Sequence, residues 1–214
     1  MMVLIFANGE LEVGEWIRPY LDRATAVIAA DGGTKHLYRL GRHPDLVIGD
    51  LDSLSDTLRN WLAEANVPMQ QFPAAKDETD LELALIHAAA QGADPILLFG
   101  VLGGRLDQTL ANVMLLTHPA LAGCSVRLMT ANETAWLVTD AAQIGGQVGD
   151  TVSLIPLAGD VHIHSTAGLQ WALKDEVLKF GPARGISNVM TQEEATILVG
   201  SGTLLCIHAA QKNP

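Results

Sequence analysis

Positive charge is scarce in this sequence. Of its 214 residues, 13 are Lys or Arg and 24 are Asp or Glu, so the net charge is −11 at pH 7. A chain with this balance does not offer the general basic surface that nucleic-acid binding needs, and we expect no nucleic-acid partner. The first 140 residues hold 18 of the acids and 9 of the bases, so a functional acidic cluster is expected there.

Cysteine is also rare, and long apolar runs are absent. The two cysteines, Cys124 and Cys206, lie in apolar surroundings, which predicts reduced core residues without metal or disulfide roles. No apolar run is long enough to cross a membrane. The first ten residues lack the basic segment of a secretory signal. We therefore expect a cytoplasmic protein with no membrane contact.

The first two thirds of the sequence alternate between short apolar runs and helical patterns. The apolar runs predict strands at 3–7, 25–30, 46–48 and 95–101. The helical patterns lie at 55–66, 79–91 and 106–116. Such alternation predicts an α/β domain with a mainly parallel, Rossmann-like sheet covered by helices on both faces.

After about residue 140, helical periodicity stops and glycines separate short strand-like runs. Strands are predicted at 151–157, 161–164, 169–173, 196–199 and 203–208. This spacing of turn signals is typical of an antiparallel sandwich or half-barrel. The sequence therefore predicts an α/β domain over 1–142 and an all-β domain, taken as a sandwich, over 143–214.

Three acidic or glycine-rich turns follow predicted strands, at 30–33, 49–53 and 102–107. Open parallel sheets bind ligands at the carboxyl ends of their strands, so these turns are expected on one edge. Asp50 and Asp52 have the spacing of two carboxylates that share a Mg²⁺ ion, which also bridges substrate phosphates. The same residues are common turn formers, which is the competing interpretation.

The segment at 76–82 also admits two interpretations. Thr79 and Glu82 have the spacing of a capping box, and Asp80 suits the first turn of a helix. A helix start also binds anions through its free N–H groups, and Lys76 would add positive charge there.

The turn at 103–107 has a comparable ambiguity. Its glycines allow a ligand to approach the backbone, and Arg105 offers a planar fork for phosphate. The alternative is a tight turn in which Arg105 pairs with Asp107. The segment matches neither of the glycine-rich nucleotide fingerprints.

Two features stand out in the last third. Trp171 is either a core residue or a platform that stacks on a flat, cationic ring. His162 and His164 are two residues apart on one face of a predicted strand, which would suit zinc. No third ligand of suitable spacing is visible in the sequence, so the favoured interpretation is two surface histidines.

Taken in order, these segments resemble the thiamine pyrophosphokinase family over nearly the whole chain. The matching segments are 30–33, 44–53, 76–85, 103–112, 153–157, 166–171, 178–181 and 185–188. The resemblance implies transfer of the diphosphoryl group of ATP to the hydroxyl of thiamine, giving thiamine diphosphate and AMP. It also implies a Mg²⁺ cofactor, and a homodimer whose active sites lie between the subunits.

The resemblance also assigns roles by position. Asp50, Asp52 and Asp80 resemble the family's catalytic and magnesium-binding acids. The nucleotide-binding positions match Asp31, Gly32, Gly33, Thr79, Gly103, Gly104, Arg105 and Asp107. The substrate-binding positions match Lys76, Trp171, Ser187 and Asn188.

Two other classes compete with this interpretation. Asp-x-Asp also marks other metal-dependent transferases, although a nucleotide-sugar transferase would leave the segments around Trp171 and Ser187 unexplained. A catalytically inactive sensor of thiamine or nucleotide on the same fold is the non-enzyme alternative.

Overall fold

A computed structural model describes residues 1–211 of the chain. The chain divides into two compact units, Met1–Ala131 and a second unit that begins at Asn132. This division falls ahead of the sequence boundary at 142 because two strands of the second unit precede or span that position. Residues 212–214 of the predicted second domain lie outside the described residues.

The first unit contains a parallel sheet of six strands. They are β1 (Val3–Phe6), β2 (Ala26–Ala30), β3 (Leu46–Gly49), β4 (Met69–Gln71), β5 (Ile96–Phe99) and β6 (Val126–Met129). Their order is β6-β5-β1-β2-β3-β4, and every pairing between neighbours is parallel. The strand order reverses between β1 and β5, and open α/β sheets bind ligands at the carboxyl ends beside such a point.

Five α-helices accompany this sheet. They are α1 (Arg18–Arg23), α2 (Thr34–Leu40), α3 (Asp56–Glu64), α4 (Asp80–Ala90) and α5 (Leu106–Met114). The sequence predicted α3, α4 and α5 but missed the two short helices. Within residues 1–211, none of the helices combines the length and the apolar character that crossing a membrane would need.

The centre of the sheet is anchored in an apolar core. Every residue of β1 and β5 is buried, and Phe6 and Phe99 are paired in register. Their rings stack with centroids 4.9 Å apart. Because burying a Phe side chain stabilises the fold by about 1.5–3 kcal/mol, this pair fixes the ends from which the neighbouring loops depart.

The second unit consists of antiparallel strands in two groups. The strands are β7 (Glu133–Val138), β8 (Ala141–Gly145), β9 (Thr151–Pro156), β10 (Val161–Ala167), β11 (Lys174–Leu178), β12 (Asn188–Val189), β13 (Glu194–Ser201) and β14 (Leu204–Ala209). One group has the order β12-β9-β14-β7 and the other β11-β10-β13-β8. Buried side chains of both groups form one apolar cluster, which includes Leu154 and Cys206 from one group and Ile163 and Val199 from the other. The prediction of an α/β part followed by an all-β part is confirmed.

Two details of the sequence prediction are wrong. The run at 169–173 is not a strand, because Gly168 takes a left-handed φ of 74° and turns the chain out of β10. Cys124 is only half-buried, since it lies in the turn before β6, whereas Cys206 is buried as expected. Neither cysteine forms a disulfide.

Candidate active site

A polar cleft of about 660 Å³ opens at the carboxyl ends of the parallel strands in the first unit. Its walls come from the loops after β1, β2, β3 and β5 and from the first turns of α4 and α5. The cleft brings together nine of the residues that the sequence singled out in this unit: Asp31, Asp50, Asp52, Lys76, Thr79, Asp80, Gly103, Gly104 and Arg105. It does not include Gly32, Gly33 or Asp107 in its lining.

The acids of the cleft form one close group. Asp31, Asp50 and Asp52 each offer a carboxylate oxygen, and these atoms lie within 4.8 Å of one another. The family resemblance implied Asp80 as the third acid of this set, whereas Asp31 takes that place in the structure. Three carboxylate oxygens are a donor set that suits a hard cation such as Mg²⁺.

Asp31 is the most deeply placed of these acids. It is 4% exposed, and its Oδ1 is buried without a hydrogen-bond partner. Burial raises the pKa of Asp31, and the negative charges of Asp80 and Asp50 add to the rise, although a hydrogen bond from Ser53 opposes it. A buried carboxylate oxygen with no partner is a group that a cation would satisfy.

The turn between Asp50 and Asp52 explains how two carboxylates come to share one edge. Leu51 has a left-handed φ of 67° and buries its side chain in the core, so it anchors the turn. Asp50 Oδ1 accepts a hydrogen bond from the Asp52 N–H at 3.3 Å. The turn that was the competing interpretation of Asp50 and Asp52 is therefore present, and so is the acidic cluster. The cap of the following helix is Ser55, which accepts from the Leu58 N–H.

Gly49 allows Asp31 and Asp80 to approach each other. A Cβ built on Gly49 would lie 2.7 Å from Asp31 Cβ, closer than real Cβ atoms approach, and 3.0 Å from Asp80 Cγ, which is a tight contact. Its φ of 153° is also one that L residues rarely adopt. Only glycine therefore fits between these two acids without displacing them.

Lys76 supplies the nearest positive charge. Its Nζ lies 2.9 Å from Asp80 Oδ1 and 4.0 Å from Asp50 Oδ2, and its side chain is only 12% exposed. Asp80 Oδ1 accepts no hydrogen bond, so its contact with Lys76 is an ion pair without hydrogen-bond geometry. Lys76 thus offsets part of the negative charge that the cluster gathers.

The start of α4 confirms the capping interpretation. The Thr79 hydroxyl accepts from the Glu82 N–H at 3.1 Å, and Glu82 Oε2 accepts from the Thr79 N–H at 3.4 Å. Thr79 and Asp80 also line the cleft. The first turn of α4 therefore stabilises the helix through its capping box and also lines the cleft.

Arg105 and Asp107 form the local ion pair that was one of the two expectations for this turn. The guanidinium donates from Nε to Asp107 Oδ1 at 3.1 Å and from Nη2 to Oδ2 at 2.5 Å. Hydrogen bonds from Arg105 lower the pKa of Asp107. Both side chains are exposed, and exposed ion pairs are weak, so an anionic ligand can compete for the guanidinium.

Several residues of the cleft were not predicted from the sequence. Lys35 Nζ donates to the Asn8 backbone oxygen at 2.8 Å and to Asn8 Oδ1 at 2.6 Å. Burial lowers the pKa of Lys35, and the charge of Arg39 lowers it further. Glu10 accepts from the Gly104 N–H at 3.2 Å. The signal for Asn8 was available, since it follows the first predicted strand, whereas nothing in the sequence distinguishes Lys35.

A buried histidine supports the loop after β1. His36 Nε2 lies 3.0 Å from the Gly9 carbonyl oxygen. Burial lowers the pKa of His36 to about 4, so the ring is neutral at pH 7 and donates Nε2–H to that oxygen. His36 therefore holds the edge of the cleft in place without adding charge.

The three predicted residues of the second unit form a group of their own. Asn188 is 8% exposed, accepts from the Trp171 N–H at 3.0 Å and donates to the Trp171 carbonyl oxygen at 2.8 Å. Trp171 itself is 58% exposed, which rules out the core interpretation of its ring. Ser187, next to Asn188, has a left-handed φ of 57° and donates its N–H to Ser153 Oγ. Asn188 thus positions the backbone that presents the exposed indole.

Two family models match the chain. The model described as thiamin pyrophosphokinase, catalytic domain, matches residues 17–128. The model described as thiamin pyrophosphokinase, vitamin B1 binding domain, matches residues 141–204.

Individual relatives carry the same name. The chain is 29% identical to a thiamine pyrophosphokinase of Bacillus subtilis over 96% of this chain and 97% of that one. It is 24% identical to thiamine pyrophosphokinase 3 of Oryza sativa over 84% of this chain and 76% of that one.

Solved structures agree with these matches. The crystal structure of the Bacillus subtilis thiamine pyrophosphokinase superposes with a TM-score of 0.90 and 27% identity, covering 99% of this chain and 100% of that one. The Geobacillus thermodenitrificans thiamin pyrophosphokinase superposes with a TM-score of 0.86 and 28% identity, covering 100% and 99%.

Proposed function

The chain belongs to the thiamine pyrophosphokinase family, and we propose that the acidic cleft of its first unit is where the reacting phosphates bind. The chain transfers the diphosphoryl group of ATP to the hydroxyl of thiamine and releases AMP. The proposal for the cleft rests on one observation, the gathering of Asp31, Asp50 and Asp52 at the carboxyl edge of the sheet.

The metal is the first part of this proposal. We assign Mg²⁺ to Asp31, Asp50 and Asp52, because their oxygens are close together and the buried Asp31 Oδ1 has no other partner. Held by these three acids, Mg²⁺ would supply positive charge that offsets the charge of the reacting phosphates. Asp80, the third ligand expected from sequence, lies in the same cleft but pairs with Lys76.

The chain's own residues then position the reactants. Phosphoryl transfer depends mainly on alignment and charge neutralisation, and Lys35 and Arg105 are basic side chains in the cleft that suit the phosphates of ATP. The thiamine hydroxyl attacks the β-phosphorus, the bond to the α-phosphate oxygen breaks, and AMP leaves. Asp80 is our candidate to accept the hydroxyl proton, because it lines the cleft and is not one of the three acids assigned to the metal; taking up the proton would cost its ion pair with Lys76.

Trp171, Ser187 and Asn188 form the proposed thiamine side. The exposed indole of Trp171 suits stacking on a cationic heteroaromatic ring. Asn188 acts here as a positioning residue, since both of its side-chain groups bond the Trp171 backbone.

We further propose a homodimer with each site built from the first unit of one subunit and the second unit of its partner. Asp52→Asn and Trp171→Ala variants, each inactive alone, should then complement one another after subunit exchange. Random exchange of equal amounts restores one site in half of the dimers, so about a quarter of the wild-type activity is expected. No recovery under demonstrated exchange would exclude shared sites.

Three finer descriptions belong to the same proposal. The reversal of strand order between β1 and β5 supports the name Rossmann-like for the first unit, and the shared core of the two antiparallel groups supports a sandwich in the second. Residues 1–142 are proposed to handle metal and nucleotide, and residues 143–214 thiamine. Cysteines without a disulfide fit a cytoplasmic location, which cell fractionation would test.

The direct test is product analysis with purified protein, ATP, thiamine and Mg²⁺. We expect AMP and thiamine diphosphate in equal amounts, and only when the metal is present. Asp52→Asn should reduce turnover about 100-fold or more, while Asp56→Asn, an exposed change four residues away, should leave it intact. Normal turnover of Asp52→Asn would overturn the site. Folded protein that binds thiamine without forming product would favour the sensor.

A further inference from the structure

Two histidines and an aspartate meet on one face of the second unit. His162 and His164 lie on β10, and Asp175 lies on the neighbouring strand β11. Each offers one ligand atom, and the three atoms lie within 4.8 Å of one another. His162 Nε2 is already 2.9 Å from Asp175 Oδ1. Strand pairing thus supplies the third ligand that the sequence did not reveal.

An irregularity in the sheet brings the two imidazole rings together. The register of β10 against β13 shifts on both sides of Ile163, which leaves His164 and Gly200 outside the regular pairing. Such bulges redirect side chains. A Cβ on Gly200 would lie 2.5 Å from His162 Nδ1 and 2.9 Å from His164 Nε2, so both rings lie over the space of this missing side chain. Their centroids are 4.9 Å apart.

We propose that His162, His164 and Asp175 form a surface binding site for Zn²⁺. Two imidazole nitrogens and one carboxylate oxygen are a ligand set that Zn²⁺ uses when water takes its fourth position. Tetrahedral coordination places ligand atoms roughly 3.3 Å apart, given bonds of about 2.0–2.1 Å. His164 and Asp175 are exposed, so packing does not prevent their side chains from rotating toward this spacing.

The site differs in chemistry from the acidic cleft of the first unit. Imidazole nitrogens favour zinc, whereas magnesium prefers oxygen ligands and retains its waters. A bound Zn²⁺ would link β10 to β11, which is the outer strand of its group. Because such a metal binds the folded chain only, it would raise the melting temperature of the protein.

The test is Zn²⁺ titration of the full-length, untagged chain by calorimetry. Saturating Mg²⁺ is kept present to occupy the acidic cleft. We expect one Zn²⁺ per chain, at least about tenfold weaker binding in His164→Ala and in Asp175→Asn, and unchanged binding in the control His87→Ala. Equal affinity in wild type and His164→Ala, or no binding by the wild type, would overturn the proposal.

Two further readouts do not depend on the heat of binding. Co²⁺ in place of Zn²⁺ should give a visible absorption band that His164→Ala removes and His87→Ala keeps. Zn²⁺ at about 100 times its Kd should raise the melting temperature of wild type by roughly 5–10 °C, but not that of His164→Ala. A band or a melting shift that survives in both His164→Ala and His162→Ala would place the metal elsewhere. Diphosphoryl transfer can succeed or fail without affecting these results.

Discussion

Gly49→Ala is the substitution that most directly probes how the cleft is built. The added methyl would lie 2.7 Å from Asp31 Cβ and 3.0 Å from Asp80 Cγ, so at least one acid must move by several tenths of an ångström. The φ of 153° adds backbone strain of about 1–3 kcal/mol. A shift of about 1 Å in a reacting group can reduce the rate about 100-fold, so we expect a loss of kcat/KM between tenfold and about 100-fold.

Gly41→Ala is the matched control for the strain alone. Gly41 also has a left-handed φ, 66°, but at the end of α2 no heavy atom lies within 4 Å of the place that an added methyl would occupy. Urea unfolding should show a loss of about 1 kcal/mol in Gly41→Ala with normal kcat/KM. Gly49→Ala should lose activity beyond its loss of stability. If Gly49→Ala is destabilised but keeps kcat/KM within twofold of wild type, the close approach of Asp31 and Asp80 is not needed for the reaction.

Three further predictions address other parts of the molecule. Lys35→Ala removes a cation of the cleft and should raise the KM for ATP about tenfold at saturating thiamine; an effect on the KM for thiamine alone would contradict its assignment to the phosphates. Asn188→Ala removes both side-chain hydrogen bonds to the Trp171 backbone, so it should destabilise the fold by about 1–3 kcal/mol and raise the KM for thiamine. An unchanged KM for thiamine would show that Asn188 has no role in substrate binding. Asp150 is buried, which alone would raise its pKa, but hydrogen bonds from the Gln211 and Gln147 N–H groups and from His208 lower the pKa overall. The stability that this depressed pKa provides is present above the ordinary Asp pKa and is lost as the pH falls through the pKa of the folded state. The difference in unfolding free energy between wild type and Asp150→Asn should therefore shrink from pH 7 to about pH 3. A difference that does not change with pH would refute this prediction.

Much of the first unit was predictable because its structure follows from local patterns. The runs that became β1, β2, β3 and β5 are apolar over their whole length, as expected for strands covered on both faces. Parallel strands gather their carboxyl ends on one edge, so the neighbourhood of Asp50, Asp52 and Arg105 could be inferred without coordinates. The capping box of α4 is likewise a local pattern.

The membership of the acidic group was not predictable, because it depends on contacts between distant segments. Asp80 has the same charge as Asp31 and lies in the same cleft, yet the Lys76 ion pair engages Asp80 while Asp31 faces the two acids of the next loop. Gly49 decides this arrangement through a missing Cβ. The sequence marks Gly49 only as one more turn residue.

The strands β7 and β8 show a second limit of local patterns. They directly follow the parallel sheet in the chain and carry few of the glycine turn signals that marked the later strands. Their identity comes from pairing with β14 and β13, which lie roughly 50 to 75 residues further along the chain. The domain boundary inferred from glycine spacing therefore fell after β7 and within β8 rather than before both strands.

The histidine pair shows the same dependence on pairing, with consequences for chemistry. On one strand, His162 and His164 are two side chains at a spacing that surface strands often contain, and a surface role was the sound inference. Pairing with β11 brings Asp175 to 2.9 Å from His162, and the bulge opposite Gly200 turns His164 toward the same point. Each step involves a residue from a different strand, so the ligand set exists only once register is known. Metal sites built across strands are therefore better sought in paired sheets than in sequence spacing.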